Sequence, residues 1–197
     1  MPATLLERIA GFVRRRRPVP PGRGIAALTR ALDEAPAPVC FWWRDDDAGR
    51  TCPTLDRLLG VASALRLPVS LSVVPAWLEP RTIERILACP QATVLQHGFD
   101  HADHAAPGRE PIELGGTLEP DRAQEALARG RATLERAFGA KFLPVLVPPW
   151  NCVDPPILPR VDALDYLAVS AAPHAPLTGL RTRRLDAQVD CVDWHAY

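Results

Sequence analysis

Apolar residues come in short runs punctuated by proline, and the period of each run predicts its element. Leu5, Leu6, Ile9, Phe12 and Val13 recur at helical spacing, so an amphipathic helix is expected over residues 3 to 16, closed by Pro18, Pro20 and Pro21. A second short helix is expected over Ile25 to Glu34. Val39-Cys40-Phe41-Trp42-Trp43 is a continuous β-former run, the pattern of a buried strand. Pro53 suits the first turn of a helix on which Leu55, Leu58, Leu59, Ala62 and Leu65 share a face, and Pro68 stops it. Val69 to Val74 predicts a second strand, residues 80 to 88 a helix, and Thr93 to Gln96 a third strand. Pro120 opens the clearest helix, with Ala123, Ala126, Leu127, Leu134, Ala137 and Phe138 on one face and Gly139 placed to cap it. Leu143 to Val147 is a fourth strand, residues 155 to 163 a short helix, and Tyr166 to Ser170 a fifth strand. Residues 171 to 187 read as a long irregular loop, and Gln188 to Val192 as a sixth short strand.

Strands alternating with helices imply an α/β fold with a parallel sheet, open or rolled into a barrel. In either arrangement sites form beyond the C-terminal ends of the strands. The polar groups here sit at such ends: Arg44-Asp45-Asp46-Asp47, the histidine-rich stretch after the third strand, Pro148-Pro149-Trp150-Asn151, and Asp190 to Trp194.

Composition narrows the classes. Lys+Arg and Asp+Glu both count 23 in 197 residues, leaving no net field for nucleic acid or an anionic membrane. Proline, at 22 residues, is about twice its usual ~5%, which favours short elements and stiff loops. The five cysteines are scattered without a C-x-x-C pair and read as reduced core or loop thiols. Glu7 and Arg8 interrupt any signal-peptide core, and no run approaches the ~18 apolar residues of a membrane span, so the cytoplasm is the expected location. Arg14 to Arg17 read as a solvated helix end, with contact to anionic lipid as the alternative.

Three of the five histidines fall in Gln96-His97-Gly98-Phe99-Asp100-His101-Ala102-Asp103-His104. His97 and His101 are four apart, and imidazoles at that spacing close on one metal ion when their segment coils. Gly98 occupies the glutamate position of the H-E-x-x-H motif and excludes it. Three adjacent carboxylates, Asp45 to Asp47, repel one another and call for a cation or arginine nearby; Arg44 supplies part of that, and a solvated turn is the bland alternative. His104 reads as a substrate contact or a surface residue. Trp150 reads as a rigid-turn residue or as a ring on which a sugar stacks.

Asp46-Asp47, His97-Gly98-Phe99-Asp100-His101, Pro148-Pro149-Trp150-Asn151 and Asp190-Cys191-Val192-Asp193-Trp194, in that order, resemble the motifs of the polysaccharide deacetylase family of carbohydrate esterases. The resemblance spans roughly residues 39 to 194. It implies a distorted or incomplete (β/α) barrel of about six to seven parallel strands over 36–197, with 1–35 as a helical extension. It also implies metal-dependent removal of an acetyl group from an N- or O-acetylated sugar or glycan precursor. On that pattern Asp47, His97 and His101 hold a divalent metal, with zinc expected. Asp46 is the general base, or, one register earlier, Asp45 is the base and Asp46 the ligand. Pro148, Pro149, Trp150, Asn151 and His104 face the substrate, and Arg44, Asp190, Asp193 and Trp194 support the site. Two departures stand out. Val147 occupies the place where the family often has an arginine that holds the catalytic aspartate. The late Leu-x-His that supplies the family's general acid is absent, His174 and His195 being the only later histidines, which leaves the chain short of the domain's C-terminal part. The competing expectations are a non-catalytic sugar- or partner-binding relative and a metal-dependent hydrolase of another amide or ester.

Overall fold

Proline sets the boundaries of several elements in the computed structural model of the chain, which describes residues 21–189: helices start at Pro53, Pro80 and Pro120, while the helix expected over Ile25 to Glu34 covers Pro21–Asp33, with Pro21 inside it. The expected helix over 3 to 16, the residues Asp190, Asp193, Trp194 and His195, and most of the expected sixth strand lie outside the described residues. Two units are distinguished. The smaller contributes, among the described residues, helix α1 (Pro21–Asp33). The larger, Trp42–Ala187, carries the sheet and the helices between its strands.

Its strands are β1 (Arg44–Ala48), β2 (Val69–Val73), β3 (Ala92–His97), β4 (Phe142–Val147) and β5 (Ala168–Val169). Between them run α2 (Pro53–Leu65), α3 (Pro80–Leu87), α4 (Pro120–Phe138) and α5 (Leu158–Asp162). All pairings are parallel and each strand lies beside the next, in the order β1-β2-β3-β4-β5. Five of the expected six to seven strands thus lie among the described residues, and Gln188 and Val189 are not in a strand.

The outward face packs under helices. Val69, Leu71 and Val73 of β2 and Ala92 and Val94 of β3 bury against Leu55, Leu59 and Ala62 of α2, Ile86 of α3, and Leu134 and Phe138 of α4. Leu146 of β4 and Val169 of β5 share a second cluster with Leu127, Ile157, Leu158, Val161 and Tyr166. Each fully buried Leu or Ile here contributes roughly 1.5–3 kcal/mol over an exposed one. The opposite face is only partly apolar: Leu95, Val145, Val147 and Ala168 form a small cluster. Beside it Nη1 of Arg44 donates to the carbonyl (3.1 Å) and hydroxyl (2.7 Å) of Ser170. A side chain of the first strand therefore reaches the residue after the last, so the sheet curls toward closure.

The strand expected over Val39 to Trp43 is displaced. The ladder begins at Trp43, whose carbonyl accepts from Ser70 N (3.1 Å), and β1 is the polar stretch that follows. Phe41 is 61% exposed and Trp42 and Trp43 each 38%. A continuous apolar run predicts a strand buried on both faces, but among the described residues β1 lies at the sheet edge with β2 as its only partner. The loop over 171–187 is irregular at first, but its end lies along β5. Val169 N donates to Arg183 O (2.8 Å), Leu185 N to Val169 O (2.9 Å) and Ala187 N to Ala171 O (2.9 Å).

Candidate metal centre

At their C-terminal ends β1, β3 and β4 bring together residues that are far apart in sequence. A bulge in β1 between Asp45 and Ala48 breaks the register with β2, and Asp47 within it adopts a left-handed backbone (φ 66°). His97 ends β3, and Gly98 (φ 54°) starts a loop that returns His101 (φ 57°) beside it. The Asp47 carboxylate lies 3.1 Å from Nε2 of His97 and 3.2 Å from Nε2 of His101. His97 is buried, whereas the Asp47 side chain is 58% exposed, so the cluster opens to solvent on the aspartate side.

The donor set fits a cation. Nδ1 of His97 lies 2.9 Å from the carbonyl of Val147, which can only accept, so Nδ1 carries the proton. Nε2 of a neutral His97 is then a bare lone pair facing a carboxylate oxygen that also only accepts. Something positive must lie between them. The hydrogen bond to His97 holds the Asp47 carboxyl below its ordinary range against the opposing effect of burial. A divalent metal would answer both: tetrahedral ligands at ~2.0–2.2 Å stand about 3.3 Å apart, close to the 3.1 and 3.2 Å from Asp47 to the two rings. Burial lowers the His101 pKa, with Asp47 pulling the other way, so its ring tends to the neutral form that ligates.

The neighbouring aspartates are differently placed. Asp46 is gripped by Arg44, with Nε 2.8 Å from Oδ1 and Nη2 donating to Oδ2 at 2.9 Å. Asp45 is outside that pair, and burial, then the charges of Asp46 and Asp47, raise its pKa. Of the two registers left open by the sequence, the geometry brings Asp47, not Asp46, onto the histidines.

Aromatic rings wall the cluster. The His101 ring lies 4.2 Å, edge to face, from Trp150 and 5.4 Å from Trp77. Pro148 and Pro149 are buried beneath Trp150, and both Trp150 (φ 52°) and Asn151 (φ 58°) are left-handed. Four of the six non-glycine residues with positive φ among the described residues are thus Asp47, His101, Trp150 and Asn151. Such conformations are costly for residues with a Cβ and cluster where surrounding structure enforces them. His104 stands apart. It lines a cavity of about 570 Å³ against α4, together with Phe99, Asp100 and Arg129 but none of the three clustered residues.

Two contributors lie outside the motifs singled out in the sequence. Trp77 closes a Pro75-Ala76-Trp77 turn after β2, and any side chain at Gly49 would meet its Cβ at 2.9 Å. The signal was present, since Val74-Pro75-Ala76-Trp77 repeats the pattern of Val147-Pro148-Pro149-Trp150. Glu113 is 2% exposed and accepts from the backbone of Phe99, Asp100 and His101. Burial pushes its pKa up to about 7, against those hydrogen bonds. Its only signal is one acidic residue between Ile112 and Leu114. Among the described residues Cys40, Cys52, Cys89 and Cys152 are free thiols, and no helix is long and apolar enough to cross a membrane.

No protein-family model matches the chain, and no curated protein matches it. Solved structures do. The Xyl-CE4 domain of a multidomain xylanase from the hindgut metagenome of Trinervitermes trinervoides aligns at 10% identity over 66% of this chain and 56% of its own, with a TM-score of 0.52. A family 4 acetyl xylan esterase from Clostridium thermocellum, solved with a cobalt ion, aligns at 16% identity over 66% and 57%, TM-score 0.51. A CE4 family pseudoenzyme from Bacillus anthracis aligns at 16% over 71% and 48%, TM-score 0.52, and a mutant of it has restored enzymatic activity. The chain spans about half the length of these structures and shares the fold of the CE4 polysaccharide deacetylases.

Proposed function

We propose that the chain is a metal-dependent hydrolase that removes an acetyl group from an N- or O-acetylated sugar or glycan. The observation that carries this is the convergence of Asp47, His97 and His101 at the strand ends of a CE4-like fold, beside a clamped second aspartate. Asp47, His97 and His101 would hold the metal, with zinc expected from this nitrogen and oxygen donor set. When bound, the metal acidifies a water and polarises the acetyl carbonyl.

The remaining roles belong to side chains already in place. Asp46 is the base: Arg44 fixes both its oxygens, while 34% exposure of the side chain leaves it open to take a proton. Arg44 itself is anchored on Ser170, so the clamp is braced across the sheet and needs no arginine at position 147. The Val147 carbonyl fixes the tautomer of His97. Trp150, exposed and edge-on to His101, offers an apolar wall for a sugar ring, and the buried Pro148-Pro149 pair holds that wall rigid.

Elemental analysis of the purified chain should find one divalent metal per molecule, and none in Asp47→Ala or His97→Ala. Unchanged metal content in those variants would overturn the site. Acetate release from acetylated sugars, peptides and simple esters then tests the acyl acceptor. A second reading, a glycan-binding relative without catalysis, is favoured by the pseudoenzyme that shares the fold. Calorimetric glycan binding without acetate release under any divalent metal would select it.

A further inference from the structure

The segment between the two candidate histidine ligands is held from below by one side chain. Glu113 Oε1 accepts from Phe99 N at 2.6 Å and from Asp100 N at 3.4 Å, and Oε2 accepts from His101 N at 3.0 Å. Successive N–H groups that converge in this way form an anion-binding concavity, and here the anion is built in. The fit is tight: a Cβ on Gly98 would collide with the Glu113 carboxylate, so glycine after His97 is required by both space and its positive φ.

Glu113 is itself immobilised on both sides. The carbonyl before it, Ile112 O, accepts from His104 N at 2.8 Å, and the one after it, Leu114 O, accepts from Asp154 N at 2.9 Å. Leu114 is 1% exposed within the cluster that holds Leu127 and Leu146. Further bonds steady the loop, from Gln96 Nε2 to Gly98 O (3.0 Å), from Gly98 N to Val147 O (3.2 Å) and from Ala76 N to Phe99 O (2.9 Å), but none of these touches His101. Glu113 does.

We infer that Glu113 is a positioning residue of the metal centre: its carboxylate presets the left-handed turn that presents His101, and so sets divalent-metal affinity. This rests on the reading of Asp47, His97 and His101 as a metal site. Glu113→Gln is the informative variant. It keeps the shape but replaces one acceptor oxygen with an NH2, so whichever way the amide lies, at least one loop N–H faces a donor. A space-filling role would tolerate that exchange without effect on the metal.

The test is titration of the full chain with Co²⁺, following its visible absorption, with thermal unfolding of the metal-free proteins alongside. Wild type should bind one ion. Glu113→Gln should bind about 10–100-fold more weakly, the usual effect of losing a residue that orients a ligand, and with an altered spectrum. Wild-type affinity and spectrum in Glu113→Gln overturn the inference and leave the metal site standing. Failure of wild type to bind removes both. Should Glu113→Gln not fold, hydrogen exchange on the metal-free wild type decides. Protected Phe99 and His101 amides support a preset loop, and exchange as free as at exposed Gly108 refutes it.

Discussion

Strands β2 and β4 both run out through Val-Pro-x-Trp into a single 3-10 turn, and the two indoles meet the same imidazole in different ways. After β2 the turn is Pro75–Trp77, and Trp77 is its third residue, half-buried and without a positive φ. After β4 the turn is Pro149–Asn151; with the extra Pro149 in the place of Ala76 the turn starts one residue later, so Trp150 is its second residue, at φ 52°. The first arrangement builds Trp77 into the scaffold, against Gly49 on one side and under Arg50 on the other. The second pushes Trp150 outward, 36% exposed, over His101. One pattern thus yields a structural wall and a presented ring, and the offset of a single proline separates them.

If that division holds, Trp77→Ala should be the more damaging change to stability. Full truncation of a buried aromatic costs ~3–5 kcal/mol, and for this half-buried ring about 2–3 kcal/mol is expected. Urea denaturation of the metal-free chain measures it. A cost equal to that of Trp150→Ala would erase the distinction.

Trp150→Ala should cost at most about 1 kcal/mol in stability, because an exposed ring is lost. Its effect belongs in binding: loss of one aromatic contact of ~0.5–1.5 kcal/mol weakens an acetylated sugar about 3–10-fold. Trp150→Gly loses the same ring but relieves the left-handed backbone, ~1 kcal/mol per residue with a Cβ. It should therefore be as stable as Trp150→Ala or more so. A glycine variant less stable than the alanine one would mean that φ 52° carries no strain.

How legible the molecule is in its sequence follows the same line between scaffold and presentation. The outward face of the sheet was readable because its partners are helices with their own period: α2 and α4 start at Pro53 and Pro120 as expected. His97 and His101 were readable because imidazole is scarce in this chain and four-residue spacing is a strong geometric hint. The choice among Asp45, Asp46 and Asp47 was not, since it depends on a bulge and one left-handed residue that residue type does not announce. β1 was misplaced because its wall is Arg44 and aspartates, a composition that reads as loop unless the opposite edge, Ser170, is known to answer it. Glu113 was invisible for a deeper reason. Its partners are backbone N–H groups 12 to 14 residues earlier, and any residue type could have supplied them.

The smallest expected effect tests whether Arg50 belongs to the wall or merely rests on it. Its guanidinium lies 4.2 Å from the centre of the Trp77 ring. An exposed cation–π contact contributes roughly 0.5–1 kcal/mol, so Arg50→Ala should lower stability by about 0.5 kcal/mol. In a double-mutant cycle with Trp77→Ala that increment should vanish once the ring is gone, because nothing remains for the cation to lie on. An unchanged Arg50→Ala effect in the Trp77→Ala background would place the contribution of Arg50 elsewhere. It would also leave Trp77 held by Gly49 and the strand-end turn alone, a wall set by backbone and not by charge.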